Sequence, residues 1–255
     1  MLAVIKVGGS IVTDKNNEAT FAETAAVAVG RACAMSSVPM VLVHGTGSYG
    51  KPPAVRHGYL DGFLASPEVV SEVGGLLDEL RFRMLRALRE AGMNAVGIST
   101  ASVVTTRNGA IERFACEAIR DFLGRGLTPV LSGDLVCDAA RGFAVCSSDD
   151  IAIDLAITLR ADRLVLATDV PGIIAQRDGF PVVVPEVNDW ASASRELEHD
   201  GKDVSGGMRG KLAAAFRAAQ AGIPVTIVDG RDPERVRAAL AGEAVEGTRL
   251  TSCAR

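Results

Sequence analysis

The sequence predicts an α/β sandwich built on a mainly parallel sheet, and three observations lead there. Short apolar runs at 3–7 and 39–44 flank a stretch with helical apolar spacing at 19–34, the pattern of a βαβ unit. Both runs end in glycine-rich turns, Gly8-Gly9-Ser10 and Gly45-Thr46-Gly47-Ser48-Tyr49-Gly50-Lys51. Parallel strands of one unit bring such turns together at the carboxyl edge of a sheet, where these folds bind ligands. Two hairpin patterns then interrupt the alternation without replacing it.

The first run contains an anomaly. Lys6 lies among apolar residues, and a buried ammonium is costly unless an anion meets it. Either this strand is an edge or Lys6 points at a ligand. Gly8 and Gly9 lack the Cβ atoms that would keep backbone N–H groups away from phosphate oxygens, although a plain turn uses the same residues.

Further along, 68–91 reads as a long amphipathic helix entered past Pro67 and stopped by Gly92. Its acids come early and its arginines late, which complements the helix dipole. A strand is expected at 95–99. Residues 103–112 alternate around Asn108-Gly109, the signal of a type I′ hairpin. A helix at 116–123 and a strand at 128–131 lead through Ser132-Gly133-Asp134 into a second hairpin at 135–146. A helix at 147–159 opens with serine and aspartate as caps. The strand at 163–167 runs into Thr168-Asp169-Val170-Pro171-Gly172. Weaker patterns suggest a strand at 182–184 and a helix at 188–197. A helix opening at 206–211 and running to 221, a strand at 224–228, a helix at 233–240 and a strand at 247–251 complete the chain. With no repeat or linker, residues 1–255 read as one domain whose two lobes, about 1–145 and 146–255, share one continuous sheet.

Composition narrows the function. At 255 residues, 48% hydrophobic and 23% charged, the chain reads as a soluble globule. No apolar run is long enough to span a bilayer, and the opening runs into Lys6 rather than a signal peptide, so the cytoplasm is expected. A formal charge of -4 and 4% aromatics disfavour nucleic acid. Five cysteines without a CxxC pair suit reduced, mostly buried thiols better than disulfides or zinc.

Glycine-bearing loops at 8–10, 45–50, 168–172 and 206–211 follow strands or precede helices. A kinase needs N–H groups and helix N-termini to hold a polyphosphate, cations to neutralise the charge in transfer, and an acid to fix them or hold Mg²⁺. Lys6, Lys15 and Lys211 are candidate cations; Asp149, Asp150 and Asp169 are candidate acids. Each has a plainer reading: Lys15 a solvated charge, Asp149 a helix cap, Lys211 a helix-surface lysine. No Walker A pattern occurs, and no GxGxxG with a following acidic residue comes after the first strand to argue for a dinucleotide.

Taken in order, Lys6-Val7-Gly8-Gly9-Ser10 with Asp14-Lys15, His44-Gly45-x-Gly47-Ser48-Tyr49-Gly50, Ser132-Gly133-Asp134, Ser148-Asp149-Asp150, Thr168-Asp169-Val170-x-Gly172, Asp203-Val204-Ser205-Gly206-Gly207-Met208-x-x-Lys211 and Glu246-Gly247-Thr248 resemble the amino acid kinase family. The nearest branch is similar to isopentenyl phosphate kinase, with fosfomycin kinases as near relatives. The resemblance implies a three-layer αβα sandwich with an open, mainly parallel sheet, ATP over the C-terminal half and the acceptor over the N-terminal half. It implies that Lys6 and Lys211 stabilise the transferring phosphoryl group, that Asp149 organises them, and that Lys15 adds a cation. Gly8, Gly9, Ser10, Gly47, Thr168, Asp169, Gly172, Gly207 and Met208 would meet ATP. Gly45, Thr46, Ser48, Lys51, Gly133, Asp134 and Ser148 would meet the acceptor. It further implies Mg²⁺, with no protein metal ligand assigned, and a homodimer.

The departures gather at the acceptor. Thr46 replaces the middle glycine of the second loop, Lys51 stands where isopentenyl phosphate kinases and fosfomycin kinases alike have histidine, and Ser147-Ser148-Asp149-Asp150 is closer to the fosfomycin-kinase version. A lysine stays charged where histidine titrates, and Thr46 leaves less room. His57 in Arg56-His57-Gly58-Tyr59 is a possible substitute. The expected function is transfer of the ATP γ-phosphate to a small anionic phosphate or phosphonate acceptor, with isopentenyl phosphate as first candidate. The alternatives are a fosfomycin-like phosphonate or another changed acceptor, and a non-catalytic nucleotide sensor. Retention of Lys6, Asp149 and Lys211 argues against the sensor.

Overall fold

A computed structural model describes residues 1–59, 62–177, 180–189 and 207–252, with backbone alone at 177 and 207–211. In chain order the described strands are β1 (Ala3–Val7), β2 (Met40–His44), β3 (Phe63–Leu64), β4 (Ala95–Gly97), β5 (Val104–Arg107), β6 (Ala110–Phe114), β7 (Thr128–Ser132), β8 (Asp134–Asp138), β9 (Gly142–Cys146), β10 (Arg163–Thr168), β11 (Ile174–Arg177), β12 (Phe180–Val183), β13 (Glu186–Val187), β14 (Val225–Asp229) and β15 (Thr248–Leu250). The helices are α1 (Gly9–Val12), α2 (Glu23–Ala34), α3 (Gly47–Arg56), α4 (Pro67–Glu90), α5 (Thr100–Val103), α6 (Glu117–Leu123), α7 (Ser148–Leu159), α8 (Gly207–Gln220) and α9 (Pro233–Ala241).

Every residue of β1 is buried, and the strand pairs in parallel with β2 on one side and β10 on the other. It is therefore not an edge. The main sheet runs β13-β15-β14-β10-β1-β2-β7-β4, parallel throughout except where β15 meets β14. Strand alternation sends Val4, Val43 and Leu164 into one apolar cluster with Ile151 of α7 and Leu212 of α8. Ile5, Leu42 and Val165 enter another with Ala26 of α2, Met84 of α4 and Val236 of α9. Burial of both faces under helices makes the three-layer αβα sandwich and explains the near-continuous apolar runs.

Both hairpins belong to a second sheet, β3-β9-β8-β5-β6. Asn108 (φ 52) and Gly109 (φ 80) adopt the left-handed backbone that a type I′ turn requires. The Asp138 carboxylate ties the two turns together, accepting N–H bonds from Asn108, Gly109, Ala140 and Arg141 and the Thr106 hydroxyl. Burial opposes its ionisation, but the Gly109 and Ala140 N–H groups, the Thr106 hydroxyl and Asn108 hold the carboxyl well below the usual range.

Some elements differ from the sequence expectation. The helix expected from 19 begins at Glu23, because Ala19 is left-handed (φ 48) and Thr13 bridges Phe21. The second glycine turn is mostly helix, α3, in spite of Pro52 and Pro53 inside it. A hairpin, β11 with β12, occupies the stretch where one strand was expected. Of the helix expected at 188–197, all but the first two residues lie outside the described residues.

Thr248 is fully buried, accepts the Ile173 N–H at 2.8 Å and donates to the Val184 carbonyl at 2.7 Å. Thr248→Val leaves both partners unpaired and should lower stability by about 1–3 kcal/mol in urea denaturation; an unchanged midpoint would show that water replaces the hydroxyl. Asp138 supplies an acid-sensitive contribution. Its depressed folded pKa means that this stability is present above the unfolded value of about 4 and lost as pH falls through the folded one. Asp138→Asn should lower the melting temperature at neutral pH, with the gap to wild type closing toward strong acid.

Candidate active site

The carboxyl ends of β1, β2, β7 and β10 open on a cleft of about 1030 Å³. Its floor is a contact between two backbones. A Cβ on Gly9 would lie 2.4 Å from the Gly47 nitrogen, and one on Gly45 2.4 Å from the Gly9 nitrogen. No side chain fits at either position. The Thr13 hydroxyl locks this contact by donating to the Gly9 carbonyl at 2.8 Å and accepting the Ser48 N–H at 3.0 Å. The N–H groups of Gly8 and Gly45 continue the sheet, bonded to the Ala167 and Val7 carbonyls, each at 2.8 Å. The Gly8 amide is thus engaged, and Gly9 and Ser10 open α1 at the cleft, where first-turn amides lack helical acceptors.

Two lysine–aspartate pairs stand beside this floor. Lys6 Nζ lies 2.9 Å from Asp149 Oδ1, with side chains only 6% and 17% exposed. The α7 cap is Ser147, whose hydroxyl accepts the Asp150 N–H at 3.1 Å, which leaves the Asp149 carboxylate to Lys6. Asp150 instead meets Arg217 of α8 at 2.9 Å. The second pair, Lys15 with Asp169, crosses the cleft between the two halves of the chain. Burial works against Asp169, but Lys15, its own backbone N–H and the Ser10 hydroxyl hold its carboxyl below the ordinary value.

Lys51, exposed on α3, lines the cleft and has no ion-pair partner among the described residues. Thr46 fills the space between two glycines: a Cβ on Gly133 would meet its Cγ2 at 3.4 Å, and one on Gly50 its Oγ1 at 2.3 Å. Ser148 and Thr168 also line the cleft. Ser48 and Asp134 line it with their polar groups already engaged. Asp134 accepts from Arg81 at 2.9 Å, the Ala101 N–H at 3.1 Å and the Leu135 N–H at 3.0 Å. Burial pushes its carboxyl up against the pull of Arg81 and those amides. His57 bonds Glu72 and is not among the cleft-lining residues.

Gly172 packs elsewhere, where a Cβ would meet Thr248 Oγ1 at 2.6 Å. Gly207, Met208 and Lys211 fall at the start of α8, where backbone alone is described. Sequence reasoning missed Thr13 and an apolar wall of Tyr59, Val73, Leu77, Leu135 and Val145. The α4 part of that wall had a visible signal, but its stripe reads equally well as core. His44, which the family pattern includes without a role, is fully buried, and its Nδ1 faces the Gly45 carbonyl at 3.1 Å. Burial pushes His44 down to about 4, against the Gly45 carbonyl and with help from Arg81, so the ring is neutral near pH 7.

An αβα sandwich that gathers glycine turns, helix N-termini and paired lysines at one sheet edge has the make-up of a small-molecule phosphotransferase. The amino acid kinase family model matches residues 1–229, and the chain belongs to that family. It is 32% identical to an isopentenyl phosphate kinase of Haloferax volcanii over 95% of this chain and 96% of that one. It is 29% identical to that of Methanothermobacter thermautotrophicus, over 98% and 99%. An X-ray structure of isopentenyl phosphate kinase superposes with a TM-score of 0.82 at 25% identity, covering 98% of this chain and 100% of that one.

Removing Asp149 strands a buried ammonium. Asp149→Ala should cost about 3 kcal/mol of stability, the low end for a buried pair because the carboxylate is partly exposed. A loss under about 1 kcal/mol in urea denaturation, the range of surface pairs, would mean that solvent already screens Lys6.

Proposed function

We propose that the protein transfers the γ-phosphate of ATP to the phosphate of a small branched-chain acceptor, with isopentenyl phosphate as first candidate. The make-up of the cleft carries this reading: it is lined by Lys6–Asp149 and Lys15–Asp169, by an apolar wall, and by Lys51, free to meet an anion. In the reaction an oxygen of the acceptor phosphate attacks the γ-phosphorus, the bond to the β–γ bridging oxygen breaks, and ADP leaves. Lys6, held by Asp149, and Lys15 neutralise the oxygens of the transferring group, and the Gly9 and Ser10 amides hold phosphate. Lys51 binds the acceptor anion, while Tyr59, Val73, Leu77 and Leu135 shelter its tail.

ATP is assigned to the C-terminal half, about 146–255, and the acceptor to about 1–145; the family resemblance gives Lys211, at the start of α8, the role of a further cation for the transferring group. Mg²⁺ would arrive on the nucleotide phosphates; among the described residues no group of three or more His, Cys, Asp or Glu gathers to hold a metal. No described helix is long and apolar enough to cross a membrane. The family resemblance extends the reading to a cytoplasmic homodimer. Ser148, in a stretch closer to the fosfomycin-kinase version, favours a second reading, a phosphonate acceptor of the fosfomycin type; Thr46 and Lys51 depart from both branches and favour a changed acceptor.

An ADP-release assay with ATP, Mg²⁺ and each acceptor decides between them. Turnover of isopentenyl phosphate is expected; turnover of the phosphonate alone would overturn the first choice, and ATP binding with no acceptor turned over would favour a sensor. Lys51→Met should raise the acceptor KM tenfold or more and leave the ATP KM unchanged. Lys51→His should keep kcat/KM for isopentenyl phosphate. A hundredfold loss, about 2.7 kcal/mol of transition-state stabilisation, would tune Lys51 to another acceptor.

A further inference from the structure

Lys15 sits in a loop, residues 14–20, that closes on itself. Thr13 bridges Phe21 across its base, and the Asp14 N–H bonds the Thr20 carbonyl at 2.9 Å. The Asp14 carboxylate accepts the Asn16 N–H at 2.9 Å and the Asn17 amide at 2.7 Å. The loop is tied outward to α3 chiefly through one residue, Ser48. The Ser48 carbonyl accepts the Ala19 N–H at 3.0 Å, its hydroxyl accepts the Thr20 N–H at 3.3 Å, and its N–H donates to Thr13 at 3.0 Å. Arg56, a later residue of α3, adds an ion pair to Glu18 at 2.9 Å.

The Ser48 carbonyl should not be available. In a regular helix it accepts the N–H of residue 52. Residue 52 is proline, which has no N–H and is ordinarily unfavourable inside a helix. Ala19 takes the vacated acceptor, and takes it from a left-handed backbone (φ 48) that a non-glycine residue adopts reluctantly. Two unfavourable local choices, a proline in α3 and a left-handed alanine in the loop, meet in one hydrogen bond. From the tip of the same loop Lys15 reaches across the cleft to Asp169.

We propose that Pro52 is a positioning residue for Lys15: by reserving the Ser48 carbonyl for Ala19, it clamps the 14–20 loop over the cleft and sets the ammonium at the transfer site. This rests on the kinase reading of that site. In Pro52→Ala the helix regains its own bond, Ala19 loses its acceptor, and the loop loosens while α3 stays formed.

Two measurements test this. Hydrogen exchange across residues 14–20 needs no acceptor: Pro52→Ala should speed it at Ala19, and Pro53→Ala, the same change at the next residue, should not. Unaltered exchange in Pro52→Ala, or equal acceleration in both variants, overturns the proposal. With ATP, Mg²⁺ and isopentenyl phosphate, Pro52→Ala should lower kcat about tenfold with little change in the ATP KM. In a Lys15→Met background the same change should have almost no further effect. Losses that multiply would mean that Pro52 acts by touching the acceptor or by general packing, and would overturn it. If wild type turns over no isopentenyl phosphate, the acceptor assignment fails, and the exchange experiment still decides the role of Pro52.

Discussion

Lys6 places an ammonium in the central strand of the sheet, parallel-paired on both sides and 5% exposed, and much of the site's arrangement follows from how that charge is met. The partner must come from above the strand's carboxyl end. It comes from the first turn of α7, which brings Asp149 to 2.9 Å and aims the helix N-terminus at the same edge. Such a pair is a poor device for stability alone, since desolvating two ions offsets most of their attraction and apolar residues of similar volume often do as well. Its persistence in a core that is otherwise apolar at β1 is better explained by the cleft it borders. There Asp149 holds the ammonium in place, and on the proposed function a bound phosphate would meet a preorganised cation.

The second constraint is steric. Gly9, Gly45 and Gly47 let the first turn after β1 press against the start of α3, and Thr13 holds them together. Charge pair and glycine contact are tied to the same sheet edge, because β1 carries Lys6 and leads into Gly9. One short stretch therefore fixes both the cation and the amides. The loop that carries Lys15 hangs from that contact through Thr13 and Ser48, whose hydroxyl and carbonyl add to the packing of Ala19 and Phe21 against the Tyr49–Tyr59 cluster.

Much of this was legible in the sequence. Apolar runs of strand length gave the parallel strands, Asn108-Gly109 gave the type I′ turn, and Pro67 and Gly92 bounded α4. The awkward Lys6 left an edge strand or a charge aimed at a ligand as alternatives, and the pairing of β1 on both sides removes the first. Other features were hidden for physical reasons. Paired prolines and glycines in α3 look like a loop, because helix propensity cannot register that Ala19 will use the acceptor Pro52 leaves vacant. Ser48 and Asp134 were expected at the acceptor. The structure shows their polar groups bonded within the protein, a distinction that residue type and spacing cannot make. The apolar wall was invisible for the opposite reason, since Val73 and Leu77 continue the stripe that packs α4 against the core.

On the proposed function, the residues of the transfer end and those of the acceptor end differ in how much change they tolerate, which accounts for where departures from the family pattern gather. At the transfer end a side chain on Gly9 or Gly45 would press into backbone at 2.4 Å, and backbone cannot rotate away. Lys6 and Asp149 are each other's partners, so neither changes without stranding the other. The acceptor end is built from side chains on a helix surface. Lys51 projects into the cleft without an ion-pair partner among the described residues, so replacing it disturbs nothing but what binds there. Thr46 is accommodated because its neighbours, Gly50 and Gly133, have no Cβ to crowd it. A side chain on Gly50 would press into Thr46, whereas one on Gly133 would meet it at 3.4 Å, an ordinary contact, so Thr46 and Gly50 are the coupled pair. The proposed acceptor end thus joins small residues to one unpaired cation, while the proposed transfer end is held by the sheet itself.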